Sequence, residues 1–171
     1  MTTEKARKIV LARHGKAEWN DDDRARPLAE RGRKEAPVAG RWLAGSGVAP
    51  DLALVSTAVR ARESWRLMGH ELSAQPKTVF EDRVYEASVG ELLALVNETA
   101  DDVNELLVLG HTPGIFALAD ALSDESEGDL VARMNRSGFP HSAVAVLSFN
   151  GEWKSVETGA ARLSAYWSPK D

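Results

Sequence analysis

The sequence predicts an α/β protein, a three-layer sandwich in which helices flank a mostly parallel central sheet. Three short apolar runs, at residues 9–12, 52–55 and 106–109, have the length and composition of buried strands. Longer segments with helical apolar spacing lie between them. Strands that alternate with helices imply parallel pairing, and ligands of such sheets bind beyond the carboxyl ends of the strands.

The first strand and the first helix are separated by a polar loop. The strand, residues 9–12, stops at Arg13-His14-Gly15, where the glycine is expected to let the backbone turn sharply. The loop runs from Ala17 to Arg26, and a helix is predicted over 29–44. Pro37 lies inside that helix and is expected to kink it or to end its first part. Gly45-Ser46-Gly47 terminates it.

The middle of the chain repeats this alternation. Thr57 is expected to cap the second helix, and Ser88 to start the third. The predicted elements in order are a strand at 52–56, a helix at 59–72, a short strand at 77–80, a helix at 90–99 and a strand at 105–110.

The last third of the chain closes the sheet with antiparallel strands. Thr112 is a plausible N-cap for a helix at 114–122, and an acidic loop follows it at 123–129. Alternation at 142–149 predicts a fifth strand. Asn150-Gly151 is a hairpin signal, so residues 153–158 are predicted to pair back as an edge strand.

Length and composition limit the function classes. The 171 residues fit one domain, 1–171, and the absence of cysteine excludes disulfides, thiolate nucleophiles and zinc–thiolate sites. A net charge of −5 argues against a nucleic-acid surface. The polar N-terminus lacks the apolar core of a signal peptide, and no apolar run approaches the ~20 residues of a membrane span. We therefore expect a cytoplasmic protein with neither nucleic-acid nor membrane partners.

Three of the buried strands end in groups suited to phosphate. The first ends in Arg13 and His14, the second in Ser56 with Arg60 one helical turn later, and the strand at 105–110 in His111. If these strands are parallel neighbours, two guanidinium groups and two imidazoles face one volume. Such a cluster repels itself unless it binds an anion. A phosphoryl group carries about −1.5 to −2 charge and three strong acceptor oxygens, which arginine matches as a rigid fork.

These segments resemble a known family. Arg13-His14-Gly15, Ser56-Thr57-Ala58-Val59-Arg60-Ala61 and Gly110-His111 together look like the histidine phosphatase superfamily. The segment Arg26-Pro27-Leu28-Ala29-Glu30-Arg31-Gly32 is similar to the signature of its small bacterial phosphohistidine phosphatases of the SixA type. The resemblance extends from Lys8 to about Phe149 and implies a phosphoglycerate mutase-like fold.

The resemblance implies a covalent mechanism. His14 would attack phosphorus and carry the phosphoryl group as a phosphohistidine intermediate, which water then hydrolyses. Arg13, Arg60 and His111 would hold the phosphoryl oxygens and neutralise charge in the transition state. No metal ion and no cofactor is needed, because the arginines supply the positive charge.

Five further residues complete the expected site. Gly15 lets Arg13 and His14 face the same phosphorus. Asn20 either contacts phosphate, as an asparagine does in mutase-like members, or caps its own loop, and Arg26 resembles an arginine of the SixA-type pocket. Thr112 either donates to phosphate or caps its helix. Glu86 is either the general acid of many family members or a solvated loop carboxylate.

The substrate class follows from the small size of the insertion between Arg60 and His111. About fifty residues separate them, and the predicted elements leave little room for a lid over the site. We therefore expect an open site for a phosphorylated protein side chain, with phosphohistidine on a histidine-containing phosphotransfer protein as the leading case by resemblance. An imidazole leaving group can carry its own proton, so the need for an acid is small. The alternatives are a broad phosphomonoesterase acting on small phosphorylated metabolites and a non-catalytic phosphate-binding module.

Two further groups of ionisable residues, His141 and the aspartates at 21–23, are interpreted as lying outside the site. His141 precedes the fifth strand and could reach the site, but a structural role is favoured. Residues 21–23 are three consecutive aspartates and are interpreted as a solvated run.

Overall fold

Helices and strands alternate along most of the chain in the computed structural model, which describes residues 5–124 and 128–169. In the described residues, no helix is long and apolar enough to cross a membrane. The strands are β1 Ala6–Arg13, β2 Leu52–Val55, β3 Lys77–Phe80, β4 Glu105–Gly110, β5 Val144–Asn150 and β6 Arg162–Trp167. The helices are α1 Glu30–Gly45, α2 Val59–Gly69, α3 Val89–Asn97, α4 Gly114–Leu122 and α5 Gly128–Ser137.

The six strands form one mixed sheet in the order β3–β2–β4–β1–β5–β6. β3, β2, β4 and β1 are parallel, whereas β5 and β6 are antiparallel to their neighbours. The predicted α/β fold with a mostly parallel sheet is therefore confirmed. Because β4 lies between β2 and β1, the carboxyl ends of these three strands are adjacent, and Arg13 is paired with Gly110.

Apolar side chains on the two faces of the sheet pack against different helices. Ile9 and Leu11 of β1 join a core cluster that includes residues of α3, α4 and α5. Val10 and Ala12, on the opposite face, join a cluster that includes residues of α1 and α2. Alternation along one buried strand thus produces the two apolar interfaces of a three-layer sandwich.

Several helix boundaries differ from the sequence prediction. α1 continues through Pro37, because buried Ala36, Ala39 and Gly40 pack this part of the helix against the protein and offset the lost hydrogen bond. α2 ends at Gly69, before the predicted residue 72.

Of the three residues expected at helix starts, Ser88 occupies the N-cap position, whereas Thr57 and Thr112 do not. Ser88 forms a capping box with Glu91 at the start of α3, as predicted. Thr57 does not cap α2, because its hydroxyl donates to Asp82 Oδ1 at 2.6 Å instead. The residue preceding α4 is Pro113, not Thr112.

The predicted edge strand at 153–158 is wrong. Trp153–Ser155 is a short 3₁₀ helix, and the strand that pairs with β5 is β6, residues 162–167. Trp153 is fully buried, and its indole nitrogen donates to the carbonyl of Val103 at 2.7 Å, so this residue belongs to the core. No helix was predicted over the residues of α5. The predicted acidic loop at 123–129 lies partly outside the described residues, and Asp129 lies in α5.

Arg7 is a buried cation at the end of the sheet opposite the site. It is only 4% exposed, and its guanidinium donates to the carbonyl oxygens of Val103 at 2.5 Å, Gly151 at 2.7 Å and Asp101 at 3.1 Å. It also lies 5.3 Å from the centre of the Trp153 ring. One side chain therefore joins β1 to the segments before β4 and after β5.

Candidate active site

The ends of β1 and β4 bring Arg13, His14 and His111 together, as the sequence predicts. The backbone N–H of His14 donates to Gly110 O at 3.1 Å, and that of Arg13 donates to Ala143 O at 3.0 Å. The rings of His14 and His111 are 4.9 Å apart. The main chain at Arg13 and His14 is thus tied to the end of β4 on one side and to the residue before β5 on the other.

The side chain of His14 has a defined tautomer when it is neutral. His14 is 6% exposed, and its Nδ1 lies 2.7 Å from the carbonyl oxygen of Gly15. A carbonyl only accepts, so Nδ1 carries the proton and Nε2 keeps its lone pair. Burial lowers the pKa of His14 well below its ordinary value, and the nearby His111 and arginines lower it further. At neutral pH this imidazole is uncharged and has a free nitrogen.

His111 is oriented by the serine at the end of β2. Its Nε2 lies 2.7 Å from Ser56 Oγ, which also accepts the backbone N–H of Ala58 at 3.2 Å. Its Nδ1 is buried and has no hydrogen-bond partner. Burial, with the positive charge of Arg60, lowers the pKa of His111 to about 4.

The two arginines use their terminal nitrogens on protein partners. Arg13 donates to Phe139 O at 3.1 Å and to His141 Nε2 at 3.2 Å. Arg60 donates to the main-chain oxygen of Asp23 at 2.7 Å and to Asp23 Oδ2 at 3.1 Å. The Nε atoms of both arginines are buried without a partner. Together with Nδ1 of His111, three buried nitrogens around His14 are left to bind an anion.

Gly15 is required for space and not for a turn. Its φ is not positive, which corrects the expectation from the sequence. A Cβ on Gly15 would lie 2.9 Å from the Cα of Gly32 in α1, and a Cβ on Gly32 would lie 2.4 Å from the carbonyl oxygen of Lys16. The backbone N–H of Gly15 donates to Ser64 Oγ in α2 at 2.9 Å. The residue after the predicted nucleophile therefore packs directly on α1 and α2.

The loop at residues 17–28, here named the rim loop, carries two of the predicted substrate-binding residues. Its ends are joined, since Ala17 and Leu28 form a β-bridge. Arg26 donates to Glu18 O at 2.9 Å and to Asp23 Oδ1 at 3.3 Å, so it lies beside the partner of Arg60. Asn20 is exposed, and its Oδ1 accepts the backbone N–H of Asp22 at 2.9 Å, a contact typical of a loop cap.

The remaining predicted residues differ in their placement. Thr112 is half-buried and follows His111 directly. Glu86 is exposed, has a positive φ of 56° and lies in the loop before α3. Among the described residues, no hydrogen bond joins Glu86 to His14 or His111.

The structure adds three residues to the site that sequence reasoning set aside or missed. His141 lies 5.6 Å from the His14 ring, and burial with Arg13 lowers its pKa to about 4. The start of an antiparallel strand beside β1 must lie near the end of β1, so the predicted hairpin topology is a signal that could have identified His141.

Asp23 and Tyr85 are the other two, and no sequence pattern points to them. The Tyr85 hydroxyl donates to Asp23 Oδ2 at 2.5 Å, and its ring is edge-on to His111 at 5.5 Å. The hydrogen bond from Tyr85, followed by those from Arg60 and Arg26, lowers the pKa of Asp23 to about 2. The same contact raises the pKa of Tyr85 to about 12.

Comparison with known proteins identifies the family. Residues 9–137 match the histidine phosphatase superfamily (branch 1). The chain belongs to this superfamily. This histidine phosphatase is accordingly a hydrolase that acts on phosphorylated substrates. In the described residues, no group of three or more His, Asp or Glu side chains is placed to hold a metal ion.

Relatives and solved structures resemble this histidine phosphatase over nearly its whole length. An uncharacterized protein of Mycobacterium tuberculosis (strain ATCC 25618 / H37Rv) is 39% identical over 161 residues, which cover 92% of this chain and 99% of the relative. A structure from Nakamurella multipartitia, provisionally designated phosphohistidine phosphatase SixA, has a TM-score of 0.86 and 31% identity, and the match covers 99% of this chain and 100% of that one. The protein histidine phosphatase SixA complexed with tungstate has a TM-score of 0.73 and 25% identity, with 95% and 97% covered.

Proposed function

We propose that this phosphatase works through a covalent phosphohistidine intermediate on His14 and needs no metal ion. The observation that carries the proposal is the contact between His14 Nδ1 and Gly15 O at 2.7 Å. It directs the lone pair of Nε2 away from the backbone in an imidazole that stays neutral at pH 7. A neutral, oriented imidazole beside buried cations is suited to attack phosphorus.

The reaction has two steps. In the first, Nε2 of His14 forms a bond to phosphorus, the bond to the leaving group breaks, and its electron pair departs with the leaving group. Arg13, Arg60 and His111 bind the phosphoryl oxygens through their unpartnered buried nitrogens and neutralise the developing charge. In the second step, water hydrolyses the phosphorus–nitrogen bond, which releases inorganic phosphate and restores neutral His14.

Phosphohistidine on a histidine-containing phosphotransfer protein is the proposed substrate, and residues 1–171 form one histidine phosphatase domain. The chain between Arg60 and His111 consists of the rest of α2, β3, α3, β4 and their short connections, so this fully described interval holds no separate lid. An uncovered site favours a side chain on a protein surface. The likeness to SixA structures supports the same substrate class.

The other predicted residues keep subsidiary roles in this proposal. Gly15 allows the close approach of His14 to α1, and Arg26 and Thr112 contact the bound substrate from the edge of the site. Asn20 acts by shaping the rim loop. A general-acid role for Glu86 stays a prediction, and an imidazole leaving group lessens the need for it because the ring can carry its own proton.

The test follows the phosphoryl group. The chain is mixed with a ³²P-labelled phosphohistidine phosphotransfer protein and quenched within milliseconds to seconds. We expect acid-labile, alkali-stable label on the chain, and its loss in His14→Ala but not in His70→Ala, which removes an exposed histidine after α2. Turnover by His14→Ala would contradict the covalent mechanism.

A substrate panel separates the alternatives. The same enzyme is assayed with phosphoserine, phosphotyrosine and sugar phosphates. A strong preference for a small phosphomonoester would replace the proposed substrate with the phosphomonoesterase alternative. Phosphate binding with no turnover of any substrate would support the non-catalytic module.

A further inference from the structure

Asp23 occupies the outer side of the candidate site. Both terminal nitrogens of Arg60 are bound by this one residue, through its main-chain oxygen at 2.7 Å and its Oδ2 at 3.1 Å. The Arg60 side chain is 7% exposed and that of Asp23 is 48% exposed. The carboxylate therefore lies between the buried guanidinium and solvent.

Hydrogen bonds from three side chains hold the Asp23 carboxylate in one orientation. Oδ2 also accepts the hydroxyl of Tyr85 at 2.5 Å, and Oδ1 accepts from Arg26 at 3.3 Å. Tyr85 in turn packs edge-on against His111 at 5.5 Å. A fixed negative charge is thus built into the rim of a site whose floor is cationic.

The direction of attack places the leaving group near this charge. In-line displacement requires the leaving group to be opposite the attacking nitrogen of His14. His14 is at the buried floor, so a phosphoryl group held by Arg60 and His111 directs its leaving group outward to the rim. Asp23, whose half-exposed carboxylate is bound to Arg60 and Tyr85, lies at this rim.

We propose that Asp23 selects the leaving group by charge: it accepts a hydrogen bond from the ring N–H of a phosphorylated imidazole in its protonated, imidazolium form, and it repels phosphomonoesters that bear a second anionic group. The selection of an imidazole rests on the proposed function of the site. As the substrate P–N bond breaks, its electron pair stays on the departing nitrogen. The ring keeps the proton on its other nitrogen and leaves as neutral imidazole, so Asp23 remains an acceptor and takes no proton.

The test compares three substrates on each variant: free phosphohistidine, phenyl phosphate and 3-phosphoglycerate. Asp23→Asn removes the charge and keeps the shape, while Asp21→Asn removes the same charge from an exposed position in the same loop. In Asp23→Asn we expect kcat/KM for phosphohistidine relative to phenyl phosphate to fall about tenfold, the size of one charge-assisted hydrogen bond. Asp21→Asn should change this ratio less than about twofold.

A ratio measured on one preparation does not depend on how much of it is folded. A merely structural role of Asp23 would lower all three activities in proportion, and that result would overturn the inference. An equal change of the ratio in Asp21→Asn would overturn it as well, because the effect would then be one of net charge. Tyr85→Phe, which loosens the carboxylate without removing it, should shift the ratio in the same direction by a smaller factor.

Failure of the proposed substrate is distinguishable from failure of this inference. If the wild-type chain hydrolyses only phosphomonoesters, the phosphohistidine proposal fails, but the charge selection is still measurable. Asp23→Asn should then raise kcat/KM for 3-phosphoglycerate relative to phenyl phosphate by about tenfold. An unchanged ratio would overturn the role of Asp23 on its own.

Discussion

Replacing Gly32 by alanine tests whether the segment after His14 must lie directly on α1. The new Cβ would be 2.4 Å from Lys16 O, and ordinary contacts begin at 3.4 Å, so the two backbones must separate by about 1 Å. The same oxygen accepts the N–H of Ala29 at 2.8 Å. A separation of this size would therefore also weaken a main-chain hydrogen bond at the start of α1.

Two contributions set the size of the effect. Overpacking of a buried contact costs about 1–3 kcal/mol, and the weakened hydrogen bond adds about 1 kcal/mol. We expect the free energy of unfolding to fall by about 2–4 kcal/mol. Lys16 is two residues beyond His14, and a displacement of about 1 Å at a reacting group can lower kcat about 100-fold.

Urea unfolding and kcat per folded molecule are the measurements, and α1 offers two matched controls. A Cβ on Gly45 meets nothing within 4 Å, so Gly45→Ala should leave both quantities nearly unchanged. A Cβ on Gly40 would lie 2.3 Å from Met68 O, away from the site, so Gly40→Ala should destabilise the protein but keep kcat. If Gly32→Ala unfolds at the same urea concentration as Gly45→Ala and keeps kcat, the contact is not the constraint that we describe.

Three further predictions follow from contacts described above. His141→Ala removes a hydrogen-bond acceptor from Arg13 and should lower kcat/KM about tenfold, while the free energy of unfolding falls by less than about 1 kcal/mol. His141→Gln offers an amide oxygen to Arg13 and should recover most of the activity. An equal loss of activity in both variants would contradict this role of His141. The unfolding free energy should fall as the pH is lowered from 6.5 to about 4, because over this range His111 and His141 take up protons in the unfolded chain but not in the folded one. The decrease should reach up to about 1.4 kcal/mol per pH unit for each histidine. Urea titrations that show constant stability across this range would refute the prediction. Arg7→Met should lower the unfolding free energy by about 2–4 kcal/mol, because buried carbonyl groups lose a charged donor, whereas exposed Lys5→Met should change it little. Similar urea midpoints for both variants would contradict a stabilising role of the Arg7 hydrogen bonds.

The strand ends that carry the candidate site are predictable from the sequence because the information is local. Apolar runs of strand length end abruptly at Arg13, Ser56 and His111, and parallel pairing brings such ends to one edge. A helix start is predictable where the capping partners are close in sequence, as at Ser88, whose partner Glu91 is three residues away. Thr57 shows the limit, because its hydroxyl is bound by Asp82, 25 residues away.

The features that the sequence did not reveal depend on distant contacts. Asp23 meets Arg60 across 37 residues and Tyr85 across 62, and no sequence spacing links these two distant partners to it. Nothing in three consecutive aspartates distinguishes Asp23, which binds Arg60, from the two before it. In the same way, Trp153 follows a hairpin signal, but it is buried and donates to the distant Val103, and the strand that pairs with β5 is β6.

The two ends of the rim loop are joined by the β-bridge between Ala17 and Leu28. Within the loop, Asp23 contacts the site through the guanidinium of Arg60 and the hydroxyl of Tyr85. The floor is secured separately, by main-chain hydrogen bonds from His14 to the end of β4 and from Arg13 to Ala143, just before β5. Under the proposed roles of Asp23 and His14, selectivity and reactivity are carried by different pieces of chain. Exchanging residues 17–28 among relatives offers a direct route to enzymes with altered leaving-group preference and an unaltered nucleophile.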